Sequence, residues 1–470
     1  MKQENTKVLL IASWTNSTKV QGYYLSPPVG LYRIKNWLKD KYDIEVLDPN
    51  VTEPVTFLKN HGYCNIFGFS PTKDNLNNDL ALMRLVRKLY PGAVLVAGGV
   101  EATNNYQQIF SLKLADYVIF GEGEKALDEF IQNNPNINLP KSSITRQYSY
   151  ETVLNQDELT RASDIDWRSM SIKEYWSRNS AVTNSDALST NCINMYITNY
   201  CPQGCKFCST TKFIREACPA GSGVVAIPPL KLVEQIRKVK EQVPETRTIY
   251  FHDDNACHHA DNTIEWCNMV ANEKIDITFV ASSRMDHFKP DVMAAMKAAR
   301  FRKLSIGVEA YSDSLLKKVR KGQREKDIDA FVKLAKEFDM PLNVNLMLCQ
   351  PEATADDVKR TAEFCLRMLE NKGNSVTAHP YIKAYSGSWY FDNWDLIQYS
   401  YITSPEIEGL RPETIRIPYR FLPRDKNVLE LLYKIDYETE HSDIFKKMRG
   451  DSFLMSQYGK ELCNLVLRLI

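Results

Sequence analysis

The chain has 470 residues, with 59 lysines and arginines against 58 aspartates and glutamates, a formal charge of +1. That balance excludes a strongly basic nucleic-acid surface or an acidic tail as its main device. A composition of 44% hydrophobic and 25% charged residues excludes a disordered chain, and no run approaches the roughly 18 apolar residues of a membrane helix.

The N-terminal patch Val8–Ala12 is too short for a signal-peptide core and precedes no small-residue cleavage site, so the expected location is the cytoplasm, with no membrane and no nucleic acid among the partners. The 11 cysteines are then reduced thiols rather than a disulfide framework. Lys7–Ser13 reads as a buried strand and Leu31–Tyr42 as a helix with Leu31, Ile34 and Leu38 on one face. Strands at 43–49 and Cys64–Ser70, a helix from Leu80 closed by Pro91-Gly92, strands at Ala93–Gly99 and Asp116–Glu124 and a helix at Lys125–Asn134 follow. This alternation predicts a Rossmann-like, doubly wound parallel sheet over residues 1–135, with its ligand at the carboxyl ends of the strands. Pro27-Pro28-Val29-Gly30, Ser70-Pro71-Thr72, Gly98-Gly99-Val100-Glu101 and Gly121-Glu122-Gly123-Glu124 are loops at those ends. Their glycines let backbone approach a ligand closely, although each loop alone is also an ordinary tight turn.

Residues 136–188 are polar and irregular and read as a linker laid over the surface. Strand–helix alternation resumes over 189–385, with strand runs at 193–200, 248–254, 276–284, 303–310, 341–349 and 375–382 separated by helical patterns. Six such units suit a full or partial (β/α) barrel whose site lies at the carboxyl ends of its strands. Residues 386–470 form a small, mostly helical C-terminal region expected to shape the substrate pocket.

Cys201-Pro-Gln-Gly-Cys205-Lys-Phe-Cys208 directly follows the first barrel strand. Three thiolates at this spacing can converge on one metal centre. A structural zinc site wants four ligands, usually two CxxC pairs, and the chain has no second CxxC. An iron–sulfur cube that only carries electrons also wants four thiolates. Three leave one iron open, as a catalytic cluster requires; zinc is the remaining alternative.

This motif at this place resembles the radical S-adenosylmethionine (SAM) superfamily. The resemblance implies a [4Fe–4S] cluster on Cys201, Cys205 and Cys208, SAM chelated to the open iron, and reductive cleavage to a 5′-deoxyadenosyl radical. It extends to Phe207, to Asp253-Asp254-Asn255 near the methionine end of SAM, to Ser283-Arg284, and to Gly307-Val308-Glu309-Ala310 at the ribose or methionine. Carboxylates suit an ammonium and ribose hydroxyls, and arginine suits a carboxylate. The N-terminal unit, with Pro28 and Gly30, Ser70, Gly98, Gly99 and Glu101, and Gly121 and Gly123, resembles the cobalamin-binding domain of one branch of this superfamily. It has no Asp-x-His motif, and its one histidine is His61, so any cobalamin is expected without a histidine below the cobalt. Tyr23, Tyr24 or Phe69 are the side chains that could plug the crevice instead.

Where the branch reads L-G-L-P-G-E-T after the fifth barrel strand, this chain reads Leu348-Cys349-Gln350-Pro351-Glu352-Ala353-Thr354. Cys349 is a candidate catalytic residue, donating a hydrogen atom to a product radical; a packed thiol is the other reading. His252, Cys257, His258 and His259 crowd the second strand end, with His252 the one to reach the pocket. The resemblance implies a cobalamin-dependent C-methylation of a small-molecule or peptide substrate. One SAM would methylate cob(I)alamin and a second would supply the radical, with an electron donor such as flavodoxin or ferredoxin. A radical dehydration, cyclisation or rearrangement without methyl transfer is the alternative enzyme reading. A non-catalytic metal-binding or redox-sensing protein is the alternative outside enzymes.

Overall fold

The computed structural model describes residues 6–15, 26–133, 145–147, 154–180, 191–209, 223–448 and 454–470; Tyr23, Tyr24 and Cys218 lie outside them. The first sheet contains β1 (Lys7–Ala12), β2 (Asp43–Leu47), β3 (Ile66–Ser70), β4 (Val94–Ala97), β5 (Tyr117–Ile119) and β6 (Thr145–Gln147), in the order β2-β1-β3-β4-β5-β6 and parallel throughout. Continuous apolar runs such as Val8–Ala12 suit strands buried on both faces. Helices α1 (Val29–Leu38), α2 (Pro54–His61), α3 (Leu76–Leu89), α4 (Gly99–Asn104), α5 (Tyr106–Ser111) and α6 (Gly123–Asn133) connect and cover them. Leu10, Val96 and Ile119 pack toward Leu31 of α1 and Leu127 of α6; Leu9, Phe67 and Leu95 pack toward Leu82 of α3. Strand order reverses between β1 and β3, which opens a crevice at their carboxyl ends.

The loops expected after the strands are in part helix starts. Pro28 caps α1, whose first turn includes Gly30; Gly98 caps α4; and Gly123 opens α6. The crevice therefore faces backbone N–H groups as well as glycine surface.

The segment expected to be a surface linker is a packed wedge. It contributes β6 to the first sheet, then α7 (Gln156–Ser163) and α8 (Ile172–Ser180). An Asn155–Glu158 capping box starts α7. Leu159, Ile165, Trp167 and Trp176 enter the core shared with the second sheet, while the Tyr175 hydroxyl donates to Asp48 at 2.7 Å. Its polar composition conceals these anchors because they are few and irregularly spaced.

The second sheet comprises β7 (Cys192–Met195), β8 (Thr248–Phe251), β9 (Thr278–Ser283), β10 (Phe301–Glu309), β11 (Leu342–Met347) and β12 (Ser375–His379) in consecutive spatial order, all parallel. It is the partial barrel. Along β11, residues Leu342, Val344 and Leu346 are buried against helices, while Asn343, Asn345 and Met347 alternate onto the half-open inner face. The C-terminal helix Met455–Leu469 lies along β12. A Cβ on Gly459 would stand 3.1 Å from the Val376 carbonyl, so glycine permits the approach that covers the sheet's last edge.

The C-terminal region is mostly helical, with a two-stranded antiparallel ribbon, β13 (Ile397–Thr403) and β14 (Thr414–Phe421), added to it. Ile415 and Ile417 of the ribbon join the core of the first sheet, and Asn77 Nδ2 donates to the Thr403 carbonyl at 2.7 Å. The ribbon thereby straps the first sheet to the barrel. Among the described residues no helix is long and apolar enough to cross a membrane.

Candidate functional site

The cysteine loop begins where β7 ends. Asp253, beyond β8, accepts hydrogen bonds at its Oδ1 from Ile197 N (2.8 Å), Thr198 N (2.6 Å) and Thr198 Oγ1 (2.9 Å), which pins the chain entering the loop. Burial raises this carboxyl to about 6 against those bonds. Gly204 turns the loop at φ +72°. The Lys206 amide donates to Val319 O at 3.0 Å and the Cys208 amide to Cys205 O at 3.1 Å. Cys205 is buried, while Cys201 and Cys208 are half-buried. Burial pushes the Cys205 thiol up to about 11, with Lys321 and then Arg284 pulling it down. It also raises Cys201, where Arg284 pulls down and Asp254 pushes up. Three soft donors on one loop, with cations beside them, fit an iron–sulfur cluster bound as thiolates.

A second layer holds this loop. Lys206 Nζ pairs with Glu352 at 2.7 Å, the Tyr390 hydroxyl donates to the same Glu352 oxygen at 2.7 Å, and Lys206 Nζ stands 4.3 Å from the Trp389 ring centroid. Glu352 occupies a position that is glycine in the L-G-L-P-G-E-T pattern. That substitution was the available sequence signal, whereas Tyr390 and Trp389, some 40 residues further on, had none.

The SAM-type candidates converge on the loop. Glu309 ends β10 at φ +70°, an unusual conformation for a non-glycine residue, and β10–β11 pairing shifts register there. Its Oε1 pairs with Lys321 Nζ at 3.0 Å, and its main-chain oxygen accepts from Gln350 Nε2 at 2.9 Å. Burial is the largest influence and works against the Lys321 ammonium, but Glu309 and Cys205 together outweigh it and the pKa is raised. Arg284 donates from Nη2 to Asp286 and to the Lys321 carbonyl, each at 3.0 Å. Phe207 lies with its ring 5.9 Å from Lys321 Nζ. Lys321 is thus the centre of an Arg284–Lys321–Glu309 group that the sequence motifs did not single out.

Asn255 is fully buried and ties the β8 and β9 loops together. Its Oδ1 accepts from Ser283 Oγ (2.8 Å) and Arg284 N (3.2 Å), while Nδ2 faces His258 Nδ1 and His287 Nε2. Asp253, Asn255 and Ser283 hold backbone; Asp254, exposed beside Cys201, is the carboxylate of this segment turned outward. His252 stacks on Tyr250 and on Tyr196, at centroid distances of 4.9 and 6.4 Å.

At the switch point of the first sheet lies a crevice of about 470 Å³. Pro28, Gly30, Ser70, Gly98, Gly99, Gly121 and Gly123 all line it, as do Tyr196 and Asn199 from the chain leading into Cys201. A Cβ on Gly99 (φ +85°) would stand 2.9 Å from Ser70 Oγ, so this wall is shaped by the lack of a side chain. The crevice runs on past Leu10, Gly68, Val96 and Leu127, which suits a large, partly apolar ligand. No histidine lines it among the described residues; His61, at the far end of α2, faces Glu45 at 3.2 Å. Phe69 lies in the wall without closing the space. A cobalamin approached without protein histidine fits these residues.

Two expected site residues lie elsewhere. Glu101 does not line the crevice: the turn of α4 sends its carboxylate into a buried site beside Lys73, where Oε1 accepts from Asn105 Nδ2 at 3.0 Å. Cys349 is fully buried in the barrel core, its thiol pushed up to about 12 by burial, with Asp436 and Arg420 as its charged neighbours rather than the cysteine loop. It lies past the end of β11, where its amide donates to the Pro380 carbonyl at 3.0 Å, and this turn rather than the strand's alternation carries the thiol into the core.

Residues 195–365 match the model of the radical SAM superfamily and residues 19–131 that of the B12 binding domain. An uncharacterized methyltransferase of Pyrococcus horikoshii is 23% identical over 386 residues, 80% of this chain and 81% of that protein. The anaerobic magnesium-protoporphyrin IX monomethyl ester cyclase of Synechocystis is 20% identical over 332 residues, 67% of this chain and 63% of the cyclase. In fold, the chain resembles the radical S-adenosylmethionine methyltransferase TsrM from Kitasatospora setae with cobalamin and a [4Fe–4S] cluster bound (TM-score 0.63, 14% identity, 83% of this chain and 74% of that one). It also resembles the cobalamin-dependent S-adenosylmethionine radical enzyme OxsB with aqua-cobalamin bound (TM-score 0.67, 13% identity, 99% and 72%).

Proposed function

The chain is a radical SAM superfamily enzyme with an N-terminal cobalamin-binding domain, and from that premise we propose that it methylates a carbon atom of a small-molecule or peptide substrate. When bound, the [4Fe–4S] cluster and SAM supply a 5′-deoxyadenosyl radical and cobalamin supplies a methyl carrier. In this reading Cys201, Cys205 and Cys208 hold the cluster. Phe207, Asp254, Arg284 and Glu309 face SAM, while Asp253, Asn255 and Ser283 fix the loops that carry them. Pro28, Gly30, Ser70, Gly98, Gly99, Gly121 and Gly123 border the cobalamin. The buried Arg284–Lys321–Glu309 group keeps charges in place before SAM arrives, so little reorganisation is needed on binding.

The observation that carries the proposal is a shared wall. Tyr196 and Asn199 line the crevice and belong to the stretch that runs directly into Cys201. A group held in the crevice and a radical made at the cysteine loop would meet across that wall. The word methyltransferase in the names of the P. horikoshii protein and of TsrM supports the same reading. Protein produced anaerobically with ample cobalamin should retain about one cobalamin per chain, and methyl-labelled SAM should pass its label to a small molecule or peptide of the host extract. Colourless protein, or 5′-deoxyadenosine formed with no transfer of label, would remove methylation and leave dehydration, cyclisation or rearrangement.

A further inference from the structure

Cleavage of SAM needs one electron delivered to the cluster from outside, and among the described residues no group of three or more His, Cys, Asp or Glu side chains is gathered to hold a relay metal. Where that electron enters is a question of surface. The turn that follows the helix Asp313–Lys318 reads Lys317-Lys318-Val319-Arg320-Lys321-Gly322-Gln323-Arg324, five cations in eight residues without an acid. In a chain of formal charge +1 this is a local concentration. Lys321 turns inward to Glu309, while Lys317, Lys318, Arg320 and Arg324 are exposed.

This turn touches the cysteine loop. Val319 O accepts from the Lys206 amide at 3.0 Å and Arg320 O from Gln203 Nε2 at 3.5 Å. A Cβ on Gly322 would stand 2.7 Å from Gln203 Nε2. Arg320 sits at φ +57°, its guanidinium 5.5 Å from the Trp389 ring centroid. Lys318 Nζ donates to the Glu352 carbonyl at 3.1 Å. Of the four exposed cations only Arg324 has a carboxylate partner among the described residues, Asp327 at 3.4 Å. Their charge is therefore left largely for another molecule.

Resting on the radical SAM reading above, we infer that Lys317, Lys318, Arg320 and Arg324 form the docking surface for an acidic one-electron carrier protein. The carrier loses one electron and the cluster gains one; no atom or proton passes between them. Charge complementarity brings the acidic partner to the turn that covers the cysteine loop, which keeps the transfer path short. Such steering raises the encounter rate and fades with salt.

The test compares reduction of the full-length, iron-loaded protein by a reduced flavodoxin of negative net charge with reduction by reduced methyl viologen, a small cation. The Lys317→Glu/Arg324→Glu variant changes two exposed side chains outside the cluster and SAM contacts. At low salt the variant should accept electrons from flavodoxin about tenfold or more slowly than wild type, and the wild-type rate should fall by a similar factor between about 50 and 500 mM salt. With methyl viologen, reduction and 5′-deoxyadenosine yield should agree within about twofold between the two proteins. Equal flavodoxin rates in the two proteins, a wild-type rate indifferent to salt, or reduction by viologen but not by flavodoxin would each overturn the docking surface while leaving the enzyme reading intact. Failure of viologen itself to yield 5′-deoxyadenosine would overturn both.

Discussion

An ideal Cβ on Gly307 would lie 2.1 Å from Glu309 Oε1 and 3.0 Å from Lys321 Nζ, so this ion pair fills the space a side chain at position 307 would need. The glycine is required by its neighbour two residues on, and not by its own backbone. Glu309, at φ +70°, folds its carboxylate back over the strand it ends.

Gly307→Ala should therefore leave the barrel folded and displace the Glu309 carboxylate. Loss of a charge-assisted bond is worth about 1.5–3 kcal/mol, so SAM affinity should drop about ten- to a hundredfold. Glu309→Ala should do the same, and the two changes together should cost little more than either. Equilibrium binding of SAM to iron-loaded protein reads the result; additive losses would show that the two residues act independently.

Gln350 Nε2 bonds the carbonyls of Glu309 and Met347, while its buried Oε1 has no partner among the described residues. Gln350→Leu removes both features at similar volume. The lost clamp on Glu309 should weaken SAM binding several-fold, roughly the worth of one hydrogen bond of about 1 kcal/mol. The lost unpaired oxygen should keep the melting temperature level or raise it. Weakened binding together with a large fall in melting temperature would mean that Gln350 only supports the core.

Iron analysis tests the cysteine loop. Reconstituted wild type should hold about four irons per chain, and the Cys201→Ala/Cys205→Ala/Cys208→Ala variant almost none. Glu352→Gln, which weakens the hold on Lys206, should keep the four irons but lose them faster to a chelator. Eight irons in wild type would demand a second cluster.

Stability should depend on pH through Glu122. Burial, then neighbouring Glu124, push its carboxyl up to about 7 from 4.5, with Arg33 pulling the other way. The folded protein thus keeps a proton that the unfolded chain loses near 4.5. That stabilisation is complete below 4.5 and is lost as pH rises to about 7. Glu122→Gln can still accept the Leu154 amide now bound at 3.0 Å, and it should flatten the decline in melting temperature between about pH 5 and 7. An identical slope in variant and wild type would place the titration elsewhere.

The sequence by itself determined both parallel sheets and the loop that carries the three cysteines. Strand runs such as Val8–Ala12 and the alternation in Leu342–Met347 are local records of which faces are buried, and spacing alone places Cys201, Cys205 and Cys208 on one loop. The glycine loops were legible for a related reason: strand ends of one parallel sheet share an edge.

Only the tertiary structure decided which side chains at those ends face a ligand. Glu101 and Cys349 sit in the right loops, but a helix turn for the one and the turn after β11 for the other send them into the interior. Lys321 and Tyr390 carry no motif, yet they meet Glu309 and Lys206 through contacts spanning 12 and 184 residues of chain. The wedge of 154–180 was hidden in the same way, because Trp167, Tyr175 and Trp176 are anchored by partners on other elements rather than by a period of their own. Periodicity reports what a segment does with its nearest neighbours in the chain; a side chain's final direction is set by whatever distant surface packs against it.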